Sequence, residues 1–154
     1  MIGASGRQVN KVDLTPLDPL DPLLELMYFG LKGLTREADE RLASHGLSRV
    51  HHRILFVIGR RDGITVGELH AMLGVTKQAL HGPLRRLTEA GLVEVRRDAA
   101  RHRAKPLHLT ESGRRVEDEA SGCERRVMDD ALRRFGEAER RAWATVMRAI
   151  AAHA

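Results

Sequence analysis

Residues 65–87 read TVGELHAMLGVTKQALHGPLRRL, and this stretch decides the fold. Thr65 and Glu68 have the spacing of a capping box, which predicts that a short helix starts after Thr65 and ends at Gly74. Thr76 is placed to cap a second helix. A short helix, a tight turn containing glycine and a second helix together predict a helix-turn-helix.

The periodicity changes after Gly91, which is expected to end the second helix at Ala90 in a left-handed conformation. Beyond it, apolar residues alternate with polar ones in two short segments, Val93/Val95 and Leu107/Leu109. A charged loop, residues 98–103, separates the two segments. This pattern predicts a two-stranded hairpin with a long basic tip.

The excess positive charge is confined to one segment of the chain. Residues 76–105 hold eight Lys and Arg against three acids, whereas residues 1–75 and 106–154 each hold nine of each sign. A cationic helix followed by a cationic ribbon, between neutral flanks, predicts a surface that binds a polyanion. Double-stranded DNA is the first candidate, because a helix suits its groove and a ribbon suits its phosphates.

The flanks predict further helices with apolar stripes. Asp21 is expected to cap a first helix that continues to His45, and Ser48 caps a second helix over residues 48–61. Thr110 starts another helix, and a last one follows Gly136. The apolar faces of the helices outside the central module exceed what that module covers. The predicted organisation is a flexible arm, a first dimerisation helix, a winged helix-turn-helix core and C-terminal dimerisation helices, at residues 1–20, 21–46, 47–110 and 111–154.

Composition excludes several other classes of protein. The five aromatic residues are too few for single-strand binding by base stacking, and one cysteine excludes a disulfide framework. No signal peptide or membrane span is visible, which predicts a cytoplasmic protein with no membrane contact. No catalytic constellation or cofactor motif appears, so we expect no enzyme and no cofactor. His51 and His52 diverge as neighbours on a helix, so no metal site is expected.

Residues 87–116, LTEAGLVEVRRDAARHRAKPLHLTESGRRV, resemble the signature of the MarR family of bacterial regulators. The motifs are GLV, RRD, R-x-K and LTxxG, each at the family's spacing, and residues 65–87 resemble the family's helix-turn-helix. The resemblance covers residues 47–116 closely. It implies a mainly α fold with a small β-hairpin wing, in which N- and C-terminal helices form a homodimer. It also implies a recognition helix in the major groove and a wing tip in the minor groove.

These observations predict the residues that contact DNA. Gln78 has the amide geometry for adenine and Ala79 suits a thymine methyl, while Arg85 and Arg86 suit phosphates. Arg103 falls at the position where the family places its minor-groove arginine. The complete predicted set is Thr65, Thr76, Lys77, Gln78, Ala79, His81, Gly82, Arg85, Arg86, Arg96, Arg97, Arg101, Arg103 and Lys105.

Two positions depart from the family pattern. Arg101 stands where the family usually has a second wing acid, which removes the salt bridge that commonly steadies the wing arginine. Pro83 lies inside the recognition helix, where proline removes a backbone hydrogen bond at a cost of about 3 kcal/mol. We therefore expect a bend or an irregular turn near Ala79–Pro83, which an unbroken straight helix through residues 77–89 would refute.

The resemblance further implies a small aromatic or amphipathic effector. The residues predicted to line its cleft are Met27, Tyr28, Phe29, His51, His52, Leu55 and Phe56, for which plain packing is the open alternative. Cys123 lies on an apolar stripe and is expected to be a small buried residue. The predicted function is a homodimeric transcription regulator, a repressor of a pseudo-palindromic operator, released by the effector. The alternative is a winged-helix module whose basic face binds an acidic protein partner.

Overall fold

The computed structural model describes residues 17–96 and 105–154. Six helices and one antiparallel hairpin follow in order: α1 (Asp21–Ser44), α2 (Arg49–Arg60), α3 (Val66–Leu73), α4 (Lys77–Glu89), β1 (Val93–Val95), β2 (Leu107–Leu109), α5 (Glu111–Leu132) and α6 (Glu137–Ala151). The predicted fold class, mainly α with a small hairpin, is confirmed. The chain divides into two compact units between Lys32 and Gly33, and each is described by itself.

The first unit contains the beginning of α1. Asp21 is the first residue of the helix, and its carboxylate accepts the backbone N–H groups of Leu17 (2.8 Å) and Asp18 (3.0 Å). The prediction that Asp21 is the N-cap was wrong, because this carboxylate binds the turn before the helix. The apolar side chains here are exposed: Leu20, Leu23, Leu24, Leu26, Met27 and Leu31.

The second unit holds the hydrophobic core. Apolar stripes of α2 to α5 meet the hairpin and the end of α1, and each element contributes fully buried side chains. They include Ala38, Leu42, Ile54, Leu55, Ile58, Leu69, Leu80, Leu87, Val93, Leu107, Leu109, Ala120 and Cys123. Burying one Leu or Ile stabilises the fold by about 1.5–3 kcal/mol, so this cluster dominates the packing energy.

Local capping starts the two helices of the helix-turn-helix, as predicted. The N–H of Glu68 donates to Thr65 Oγ1 (3.2 Å), and Glu68 Oε2 accepts the N–H of Thr65 (2.8 Å). Thr76 Oγ1 accepts the N–H of Ala79 at 3.1 Å. Gly74, at φ +64°, ends α3 in the left-handed conformation that glycine adopts without strain. Thr65 and Glu68 therefore fix the start of α3, and Gly74 and Thr76 fix the turn between α3 and α4.

The hairpin is anchored to the end of α4. Val93 pairs with Leu109 and Val95 with Leu107, in the predicted antiparallel ladder. The hydroxyl of Thr110 donates to the carbonyl of Gly91 at 2.7 Å. The strands, the end of α4 and the start of α5 are therefore tied together.

Pro83 does not interrupt the recognition helix. α4 runs without a break through Pro83, so the irregular turn predicted near Ala79–Pro83 was wrong. Leu80 and Leu87, on either side of the proline, are both buried in the core. Their burial offsets the roughly 3 kcal/mol that proline costs inside a helix.

The last helix, α6, contributes no buried residue. Three of its large apolar side chains lie on one stripe and are exposed: Trp143, Val146 and Ile150. Phe135, just before the helix, is exposed as well. Within the described part of the chain, no helix combines the length and apolarity needed to cross a bilayer.

Candidate nucleic-acid interface

Helix α4 has two opposite stripes of side chains. Leu80 and Leu87 are buried in the core, with Leu84 packed against it. On the other side of the helix, three residues that follow one another at spacings of four and three are all exposed: Gln78, Gly82 and Arg85. Residues so spaced share one helix face, so the core-facing side of α4 is apolar and the solvent side is polar and cationic.

The N-terminal turn of α4 is suited to phosphate and base contacts. Lys77, Gln78 and Ala79 are exposed there, and His81 lies exposed one turn later. Because Thr76 Oγ1 accepts the N–H of Ala79, its hydroxyl proton remains a donor for a phosphate oxygen. The positive end of the helix dipole favours an anion at the same place.

The two arginines late in α4 have different surroundings. Arg85 is on the solvent stripe, with Nε 3.6 Å from Glu89 Oε1. The guanidinium of Arg86 lies against the turn before α2, where a Cβ added at Gly46 would be 3.1 Å from Nη2. Burial lowers the pKa of His51, and the nearby charge of Arg86 lowers it further. Arg86 is therefore exposed but lies close to the turn before α2, and its predicted contact with a phosphate stays a prediction.

Thr65 is largely committed to its own helix. Its N–H donates to Glu68 Oε2, and its hydroxyl donates to the same oxygen at 2.7 Å. Thr65 belongs to the predicted set of DNA contacts, but the carboxylate of Glu68 already accepts its amide N–H. The amides of Val66 and Gly67, in the first turn of α3, are the donors that such a contact would use.

Only the base of the wing lies within the described residues. Arg96 Nε donates to Glu94 Oε1 at 2.8 Å, and Lys105 is exposed. The other predicted wing contacts, at Arg97, Arg101 and Arg103, lie outside the described residues, as does the missing salt bridge inferred from Arg101.

A contact that sequence reasoning missed supports the base of the wing. His108 Nδ1 in β2 lies 2.9 Å from Asp62 Oδ1 in the turn after α2. Next to it, the backbone of Ile64 bridges to Leu107 and adds a third, one-residue strand to the hairpin. The histidine and the aspartate are 46 positions apart, so no local pattern signals their contact.

The predicted effector residues fall in both units. In the first, the ring of Tyr28 meets that of Phe29 edge-on, with centroids 5.3 Å apart, and Met27 is exposed. In the second, Leu55 is completely buried and His52 is 4% exposed.

The remaining two effector residues also have partners within the second unit. Arg60 stacks on the ring of Phe56, 3.6 Å from its centroid, and His51 Nδ1 accepts the N–H of Ser48 at 3.1 Å. Each of these four residues is therefore buried or has a partner in its own unit, and both the effector cleft and the alternative of plain packing stay predictions.

Cys123 is buried, as expected. The side chain of Arg126, one turn later in α5, contacts it, with Nη2 3.3 Å from Sγ. Burial raises the pKa of Cys123, and the charge of Glu37 raises it further, which opposes thiolate formation. Among the described residues, no group of three His, Cys, Asp or Glu side chains is arranged to bind a metal ion.

Comparison with known proteins gives consistent results. Residues 45–104 match the model of the MarR family. The HTH-type transcriptional regulator PetP of Rhodobacter capsulatus is 42% identical over 113 residues, which span 73% of this chain and 68% of PetP.

Solved structures of MarR-family proteins are also similar to this chain. The crystal structure of MarR is 26% identical, covers 91% of this chain and 93% of its own, and superposes with a TM-score of 0.66. The Mycobacterium tuberculosis MarR-family protein Rv2887 has been solved with DNA (26% identity, 84% and 97% coverage, TM-score 0.59) and with salicylic acid (25%, 90% and 98%, 0.57).

Proposed function

Since this chain belongs to the MarR family of DNA-binding transcription regulators, we propose that it is a homodimeric repressor of a pseudo-palindromic operator. The observation that carries the proposal is the exposed polar stripe of α4, which includes Gln78 and Arg85, opposite a buried leucine stripe. A helix of this kind presents its N-terminal residues to base edges in the major groove. Two copies would read half-sites about one helical turn, roughly 34 Å, apart.

The predicted contacts divide by chemistry. Gln78 and Ala79, in the first turn of α4, are proposed to read bases, and Arg86 beside the reading face is proposed to bind a phosphate. The wing residues, with Arg103 in the minor groove, are proposed to clamp the duplex. The complex of Rv2887 with DNA supports this assignment to a nucleic acid partner.

Unpartnered apolar faces support a homodimer. Trp143, Val146 and Ile150 form an exposed stripe on α6, and the start of α1 separately exposes a row of leucines. Contiguous apolar surface of this kind marks an interface with another molecule. A second copy of the chain is the proposed partner, because a pseudo-palindrome needs two identical readers.

We further propose that a small aromatic or amphipathic effector weakens DNA binding. The complex of Rv2887 with salicylic acid supports an effector of that chemistry. A ligand that favours a different separation of the two reading helices would alter operator affinity by about 1–3 kcal/mol. No catalytic activity is proposed. Acting on a bacterial operator, the protein would work in the cytoplasm.

Selection of bound sequences from a random duplex pool tests the proposal. The expected product is a two-fold symmetric motif, and affinity for it should fall steeply as salt rises. Light scattering should give twice the mass of the chain, both free and on the operator. Recovery of no motif, with weak and salt-insensitive binding, would instead favour a module that docks an acidic protein.

A further inference from the structure

Gly82 lies in the middle of the solvent-facing stripe of α4, one turn after Gln78 and one turn before Arg85. A Cβ added at Gly82 would meet no atom within 4 Å beyond its neighbours and its own helix. Glycine inside a helix is unfavourable, because it loses more conformational freedom on folding than alanine does. Within residues 17–96 and 105–154, no tertiary contact therefore explains why this position lacks a side chain.

Other glycines of the chain show what a structural requirement looks like. Four glycines have positive φ angles, namely Gly46, Gly63, Gly74 and Gly91. The φ angle of Gly82 is not positive. At Gly113, a Cβ would come within 2.0 Å of the carbonyl oxygen of Leu92, so the start of α5 needs glycine for close packing. Gly82 meets neither condition.

One local explanation competes, and it comes from the next residue. Proline disfavours a helical conformation of the residue before it, because its Cδ crowds the preceding Cβ. Glycine has no Cβ, so Gly82 relieves part of the strain that Pro83 imposes. Any test of Gly82 must therefore separate its effect on Pro83 from its effect on DNA.

We propose that Gly82 is the point of closest approach between the backbone of α4 and the floor of the major groove. Gln78 and Arg85 are separated by about 10 Å along the helix axis, at 1.5 Å per residue. Gly82 forms a notch between these two side chains, into which the protruding edge of a base pair fits. The inference rests on the proposed function, because it requires α4 to lie in a major groove.

The notch sets how deeply the helix enters the groove. Gln78 has a short side chain, and its amide forms two hydrogen bonds with a base only when the backbone comes near. Any side chain at position 82 would hold the helix away and lengthen those bonds, which lose strength steeply with distance and angle. Gly82 is thus a positioning residue for Gln78.

The test removes the proline first. Pro83→Ala serves as the reference, and the double variant Gly82→Ala/Pro83→Ala is compared with it. Without the proline, alanine at position 82 should stabilise the helix and raise Tm by about 2–4 °C. The same variant should bind the selected operator about ten-fold or more weakly, and should lose discrimination at the base pair that Gln78 reads. Higher stability with lower affinity is a combination that a purely structural role cannot produce.

Gly122→Ala/Pro83→Ala is the matched control. Gly122 lies in α5, where an added Cβ would be 3.7 Å from Arg126 Nη1, an ordinary contact. This control variant should be as stable as Pro83→Ala or slightly more stable, and it should bind the operator equally well. Equal operator affinity of Gly82→Ala/Pro83→Ala and Pro83→Ala would overturn the inference and assign Gly82 to the proline. If the wild-type chain itself shows no sequence-specific DNA binding, the proposed function is refuted instead.

Discussion

His52 in α2 and Ser121 in α5 form a buried hydrogen bond, with Nε2 and Oγ 3.0 Å apart. The hydroxyl of Ser121 donates to Glu117 Oε1, and Arg60 Nη1 donates to the same oxygen at 2.8 Å. The hydroxyl proton is thereby used, so His52 must donate from Nε2 to Ser121 and carry no proton on Nδ1 in its neutral form.

The lowered pKa of His52 makes the stability of the fold depend on pH. Burial lowers the pKa of His52, although the carboxylates of Glu124 and Glu117 oppose the shift, and Arg60 and Arg53 add to it. Below the ordinary pKa of about 6.5, the unfolded chain binds a proton that the folded chain does not. The free energy of unfolding should therefore fall as pH drops from about 7.5 to about 5.5, as measured by urea titration.

Two variants show how much of this pH dependence each of the two histidines causes. His51 also has a lowered pKa, so His51→Asn measures its share. His52→Gln keeps an N–H donor near the Nε2 position and removes the titrating ring. We expect a flatter pH profile in each. An unchanged slope in His52→Gln would show that His52 does not carry the effect.

Ser121→Ala should destabilise the contact between α2 and α5. The variant leaves the Nε2–H of His52 buried without an acceptor, at a cost of about 1–3 kcal/mol of unfolding free energy. Ser112→Ala, on the exposed face of the same helix, is the control and should change stability by less than about 0.5 kcal/mol. Equal stability of the two variants would mean that the buried chain of hydrogen bonds contributes nothing.

Gly113→Ala tests the close packing of α5 on the wing. A Cβ at position 113 would collide with the carbonyl oxygen of Leu92, 2.0 Å away, so helix and strand would have to separate. We expect a loss of about 3 kcal/mol or more of unfolding free energy. The helical control Gly122→Ala should be neutral or slightly stabilising. A tolerated Gly113→Ala would show that the start of α5 can move.

Features that depend on neighbours in sequence were predictable from the chain. Thr65, Thr76 and Gly91 act within a few residues, through caps and a left-handed turn, and each is found as predicted. The hairpin was predictable as well, because apolar and polar residues alternate in both of its strands. The family resemblance rested on the same local motifs, and the choice of α4 as the helix that reads DNA stays a prediction.

Features that depend on packing were not predictable. His52 and Ser121 are 69 positions apart, and their hydrogen bond carries no periodic signal. Pro83 was expected to disturb α4, because local propensity does not include the leucines that anchor the helix on both sides. The contact of Arg126 with Cys123 was missed because long arginine side chains reach a neighbouring turn of their own helix.

Val146→Asp tests the α6 stripe as a dimer interface. A carboxylate on that face would be buried without a partner in a dimer, which should weaken association about 30-fold or more. Thr145→Asp adds the same charge to the opposite face of the helix and should leave the dimer intact. Light scattering over a dilution series measures both. A dimer in both variants would exclude this stripe from the interface.

Arg86→Ala and Arg103→Ala should separate phosphate binding from groove reading. Arg86, beside the reading face, is expected to contact the backbone, so its loss should weaken all duplexes alike and reduce the salt slope by about one. Arg103 is predicted from its sequence position to enter a narrow A/T-rich minor groove, whose negative potential attracts the guanidinium. Its loss should weaken A/T-rich sites about ten-fold and G·C-rich sites far less. Gel-shift titrations at several salt concentrations distinguish the two patterns. Unchanged DNA affinity in both variants would contradict the proposed mode of DNA binding.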